Sequence, residues 1–107
     1  MSKRVSVIAE LSIIPVGQGT TSLGKYVGEA VSAVSGLKGL RCEVTAMGTI
    51  LEAEKLETIL EAVKLAHEAV SRMGAQRIES TLRIDDRRDK PRRMEDKIEA
   101  VRSYIQR

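Results

Sequence analysis

Phenylalanine and tryptophan are both missing from the 107 residues, and the aromatic complement is Tyr26 and Tyr104. Any ligand site must therefore work without an aromatic cage. Cysteine occurs once, as Cys42, which excludes an internal disulfide and a cysteine-rich metal site and fits a reducing compartment. Histidine also occurs once, as His67, and with no second histidine four residues away there is no zinc-helix motif. No apolar run approaches the ~18 residues of a membrane span. Glu10 and Ser12 interrupt the N-terminal stretch before it resembles a signal sequence. The expectation is a cytoplasmic chain that spans no membrane and holds no metal or cofactor.

What is present suffices for one soluble globular domain over residues 1–107: 42% of the residues are hydrophobic against 31% charged, and almost all the apolar ones are aliphatic. The net charge of +3 is localised. Residues 83–93, RIDDRRDKPRR, carry six basic and three acidic side chains, so this one segment accounts for the whole excess.

Val5, Val7, Ala9, Leu11 and Ile13 alternate with more polar positions, the period of a half-buried strand, and Pro15 and Gly17 close it. A first helix follows from near residue 21 to Gly36, with Thr20, Thr21 and Ser22 as caps. Leu40, Cys42, Val44 and Ala46, then Gly48 to Ala53, predict a hairpin turning near Met47. From Leu56 to Met73 an apolar stripe at helical spacing predicts the longest element, stopped by Gly74. Ile78, Ser80, Leu82 and Ile84 give a fourth strand, and Met94, Ile98, Val101 and Ile105 a terminal helix. The order β-α-β-β-α-β is that of an α+β, ferredoxin-like antiparallel sheet with helices on one face, here with an extra C-terminal helix. The other sheet face would carry Ile8, Glu10, Ser12, Ile14, Arg41, Glu43, Thr45, Glu79, Thr81 and Arg83. Isoleucines among charges suit coverage by a second subunit as well as a solvated face.

Three segments are candidates for chemistry. Gly17 to Ser22 joins a strand to a helix, where free backbone N–H groups favour an anion or a polar head, or simply form a capped turn. It lacks the third glycine of a dinucleotide loop and the Gly-Lys end of a P-loop. Met47, Gly48 and Thr49 form the hairpin tip, with Glu52 on the returning strand, free to pair with a cation or to face water. In R83-I84-D85-D86-R87-R88-D89 the pleat puts Arg83 and Asp85 on one face and Asp86 on the other, a packed set of opposite charges. His67 and Cys42 are expected to be structural, Cys42 as a buried, inert thiol.

The blocks SIIPVGQGTTSLGKYVGEAV, AMGTILEAE, AHEAV and TLRIDDRRDK, in that order, resemble the thiamine-binding protein family over residues 5 to 101. The resemblance implies a ferredoxin-like subunit, assembled as a homodimer or tetramer, that binds thiamine or its hydroxymethylpyrimidine part without transforming it. It implies ligand contacts at Thr20, Thr21 and Ser22, at Met47, Gly48, Thr49 and Glu52, and at Arg83, Asp85, Asp86 and Arg87.

Other classes fit less well. Acylphosphatase-type catalysis on this topology looks for an arginine in the first strand-helix loop, and residues 16 to 22 contain none. No Ser-His-Asp or Cys-His set has a recognisable spacing. A pI of 9.2 invites nucleic acid, but RNA-reading sheets expose aromatic residues on their middle strands, which these strands lack. The sequence therefore predicts a small-molecule binder rather than an enzyme or a nucleic-acid binder, with a purely structural oligomer as the alternative.

Overall fold

The computed structural model describes residues 7–105. It contains β1 (Val7–Pro15), α1 (Gly24–Ser35), β2 (Leu40–Val44), β3 (Thr49–Ala53), α2 (Leu56–Arg72), β4 (Ile78–Asp86) and α3 (Met94–Arg102). Val5, expected at the start of the first strand, lies outside the described residues. The four strands form one antiparallel sheet in the order β2-β3-β1-β4, the ferredoxin-like arrangement.

Alternation decides which face is dry. Val7, Ala9, Leu11 and Ile13 of β1 and Leu51 and Ala53 of β3 point to one side, where α1 contributes Tyr26, Ala30 and Val34 and α2 contributes Ile59, Ala62, Ala66 and Val70. The alanines of α2 let that helix lie close to the sheet, so a volume change there is felt directly. Leu51 and Ile59 are fully buried, and truncating either to alanine is expected to cost about 2–5 kcal/mol.

Two local readings need correction. Helix α1 begins at Gly24 rather than near residue 21, and Thr20, Thr21 and Ser22 do not cap it. Its N-cap is Leu23, whose carbonyl accepts the Tyr26 and Val27 N–H groups, while the Thr20 hydroxyl accepts the Ser22 N–H before the helix starts. Hydroxyl residues reach backbone N–H groups only two or three positions ahead, so Thr20 is spent on the loop and none of the three caps the helix. The C-terminal stripe also divides: Met94 is buried, whereas Ile98 and Val101 are about half exposed and Ile105 lies beyond the helix.

Helix α3 does not join α1 and α2. It crosses the opposite face of the sheet, over the end where Ile8, Glu52 and Asp85 are neighbours across β1 and its partners. That placement creates two cavities on the open face, one on either side of Lys97.

Candidate functional site

The sheet face away from α1 and α2 carries Ile8 and Glu10 of β1, Arg41 of β2, Ile50 and Glu52 of β3, and Arg83 and Asp85 of β4. The registers Ile8↔Glu52, Ile8↔Asp85, Glu10↔Ile50, Glu10↔Arg83 and Arg41↔Glu52 set them side by side. Helix α3 is fastened to this face by charge. Arg41 donates two hydrogen bonds to Glu95, and Lys97 donates to Asp85. Beneath them Glu52, only 2% exposed, accepts the Met94 N–H at 2.8 Å. Arg41 and Arg93 lie 3.6 and 3.7 Å from the Glu52 carboxylate, so the buried charge meets two guanidinium groups and the positive end of a helix. Asp96 accepts the Arg93 N–H, closing the first turn of α3.

These contacts set the acidities. The hydrogen bonds from Arg41 hold the Glu95 carboxyl at about 2, and Arg87 does the same for Asp89. Lys97 lowers Asp85. Burial pushes the Cys42 thiol up, although its side chain is only partly buried and not enclosed as the alternation of β2 suggested.

Between α3 and the hairpin a groove of about 190 Å³ remains open, floored by Ile8 and Ile50 and flanked by the carboxylates of Glu10 and Asp85, with Arg83 and Lys97 at its edge. Among the described residues Glu10 has no ion-pair partner, so its charge faces the groove. The hairpin abuts it: a side chain on Gly48 would meet the Leu11 carbonyl at 3.0 Å and the Glu10 Cγ at 3.3 Å. Glycine at this position therefore lets the turn approach β1. Thr45 rigidifies the same turn, its hydroxyl accepting the Met47 and Gly48 N–H groups and donating to the Gly48 carbonyl.

The residues singled out from sequence fall into separate places. Arg83 and Asp85 line the groove, and Glu52 lies beneath α3 with its oxygens engaged. Met47 is 83% exposed at the hairpin tip, while Thr49 is buried on the core face beside Ala30 and Val34. Asp86 points to the helix side, bound by Arg88 and next to Val7 and Leu56, and Arg87 pairs with Asp89. Thr20 and Thr21 border a wide hollow of about 560 Å³ with Gly17, Gln18 and Gly19, which Ser22 does not line. That hollow adjoins Pro15, seven residues along β1 from Ile8, or about 24 Å at strand rise. One chain does not bring the loop and the groove together. His67 shares a 2.7 Å hydrogen bond with Ser80, tying α2 to β4.

Glu10, Ile50, Arg92 and Lys97 were not singled out as site residues. The alternation of β1 already placed Glu10 on the open face, but its neighbours Ile50 and Arg83 follow only from register. Among the described residues, no three His, Cys, Asp or Glu side chains gather as a metal would require.

The comparisons agree on one family. Residues 9–102 match the family model described as "Thiamine-binding protein". The chain is 50% identical over 99 residues to the "UPF0045 protein" of Methanothermobacter thermautotrophicus, covering 92% of this chain and 99% of that one. The crystal structure of the hypothetical protein MJ1052 from Methanocaldococcus jannaschii is similar at a TM-score of 0.81 and 43% identity, over 92% of this chain and 96% of that one. A domain of unknown function from Bacillus cereus is similar at a TM-score of 0.78 and 26% identity, over 97% and 96% of the two chains.

Proposed function

This chain belongs to the thiamine-binding protein family, and from that membership we propose that it binds the aminopyrimidine part of thiamine, or a closely similar ring, without transforming it. The observation that carries the reading is the groove in which Ile8 and Ile50 lie between the carboxylates of Glu10 and Asp85. Two aliphatic side chains offer a flat apolar surface, and two carboxylates accept hydrogen bonds from an amino group or neutralise a cationic ring. At about 190 Å³ the groove accommodates one ring rather than a two-ring ligand. In this reading Glu10, Arg83 and Asp85 make the polar contacts, and Glu52 supports the site by holding α3 in place.

The protein acts as a homodimer or tetramer in the cytoplasm, with a second copy covering part of the open sheet face. Partly buried Ile14 on that face supports this assembly. The half-exposed Ile98 and Val101 of α3 favour a second reading, in which association itself is the function.

Calorimetric titration of thiamine and of hydroxymethylpyrimidine, with light scattering on the same sample, tests the proposal. Saturable heat that Glu10→Gln weakens, with the mass unchanged, is the expected result. Absence of heat from both compounds in a well-folded oligomer overturns it in favour of the second reading.

A further inference from the structure

Across the Lys97–Asp85 pair from the groove lies a second cavity, of about 240 Å³, which ring binding leaves unused. Its floor is apolar, made by Ile8 together with Ala100 and Val101 of α3, and its rim carries Arg87, Arg92 and Lys97 with one carboxylate, Asp85, which Lys97 neutralises. The three cations come from the exit of β4, the turn before α3 and the first turn of α3, and they converge because α3 folds back over the sheet.

They are not equally committed. Arg87 gives its Nε and one terminal nitrogen to Asp89, and Lys97 bonds to Asp85. Arg92 forms no ion pair among the described residues, and its Nε–H is buried without a protein acceptor. A guanidinium donor withdrawn from water in this way wants an acceptor, and an oxyanion is the one its geometry fits best.

We infer that this cavity is an anion site for a phosphate group, with Arg92 as its principal donor and Arg87 and Lys97 beside it. Three cations on three separate segments suit a tetrahedral anion with several oxygens, whereas a lone carboxylate is satisfied by a single arginine fork. The cavity and the groove share Ile8, Asp85 and Lys97 as a common wall. A phosphate monoester of a small heterocycle would therefore span both, its anion at Arg92 and its ring between Ile8 and Ile50. That spanning ligand rests on the ring-binding reading, while the anion site does not.

The experiment is calorimetric titration of inorganic phosphate, thiamine, hydroxymethylpyrimidine and hydroxymethylpyrimidine phosphate, at low ionic strength in a zwitterionic buffer, into wild type, Arg92→Gln, Arg92→Lys and Arg87→Gln. Wild type should bind phosphate saturably, and Arg92→Gln should weaken it roughly ten- to a hundredfold, the value of a charge-assisted hydrogen bond. Arg92→Lys should recover part of the loss, and hydroxymethylpyrimidine affinity should be the same in wild type and Arg92→Gln. Hydroxymethylpyrimidine phosphate should bind more tightly than hydroxymethylpyrimidine in wild type only. Lack of saturable phosphate binding, or equal phosphate affinity in wild type and Arg92→Gln, overturns the anion site. Phosphate binding without binding of either thiamine or hydroxymethylpyrimidine supports the anion site and overturns the ring reading, and equal affinity for hydroxymethylpyrimidine and its phosphate overturns the spanning ligand. Should Arg92→Gln fail to melt cooperatively, Arg87→Gln, at a side chain 37% exposed, carries the comparison with an expected severalfold loss, and an undiminished affinity overturns the site.

Discussion

The carboxylate of Glu52 accepts the backbone N–H of Met94 at 2.8 Å across 42 residues of sequence. A strand inside the sheet thus supplies the anion that the first turn of α3 needs, because a helix N-terminus presents unpaired N–H groups and a partial positive charge. The cavities on either side of Lys97 exist because this contact, with Arg41–Glu95 and Lys97–Asp85, holds the helix on that face.

Removing that anchor should loosen α3 before it disturbs the core. Glu52→Ala is expected to lower stability by about 1.5–3 kcal/mol, since it deletes a charge-assisted bond from a buried site, and Glu52→Gln by less. Urea denaturation measures the loss, and limited proteolysis should cut first within residues 94–102. Unaltered stability together with an intact α3 would refute the anchoring role.

The same attachment, and the Arg87–Asp89 pair beside it, should depend on acid. Glu95 is held at about 2 against its ordinary 4.5, Asp89 at about 2 against 3.8, and Asp85 is lowered by Lys97. A carboxyl whose folded pKa is depressed contributes stability that is fully present above the unfolded value and is lost as pH falls to the folded one. Melting temperature is therefore expected to drop between pH 4.5 and 2, with Glu95→Gln removing part of the drop. All three carboxylates are solvent-exposed, so added salt should shrink the effect. A melting temperature that stays level through this window would contradict the assignment.

Two glycines should respond in opposite directions to the same substitution. Gly48→Ala drives a methyl against the Leu11 carbonyl and the Glu10 side chain and is expected to cost about 1–3 kcal/mol. Gly28 sits in the exposed interior of α1 with open space around it, so Gly28→Ala should stabilise by about 0.5–1 kcal/mol. Thermal melts of the pair decide this, and a stabilising Gly48→Ala would mean that the hairpin is not held against β1.

Self-association is tested at Ile14, which stands on the open face of β1 opposite Glu79. Ile14→Glu should shift the mass seen by light scattering from a multiple of 11.8 kDa towards 11.8 kDa itself. A mass unaffected by the substitution would move the interface away from this face.

Elements whose signal is periodic were legible in the sequence. The alternation of Val7, Ala9, Leu11 and Ile13 specified a strand with one dry face, and the stripe from Leu56 to Val70, stopped before Gly74, specified α2. The family blocks lay in plain sight as well, and the family follows from them. Periodicity works because the side-chain repeats of strand and helix depend only on the local backbone. It was less informative for the start of α1, where three hydroxyl residues looked like caps but bond within the loop or not at all.

Tertiary structure alone decided which face α3 covers, and with it the fate of Glu52, which by sequence was as ready to face solvent or a ligand as to lie buried at 2% exposure. It also separated the Thr20–Ser22 loop from the charged end of β4 and gathered Arg87, Arg92 and Lys97 around Ile8. The physical reason is that sequence patterns report which side of its own element a residue occupies. Which distant charges become neighbours depends on strand order, register and the return path of the chain, and those are fixed only when the whole sheet closes.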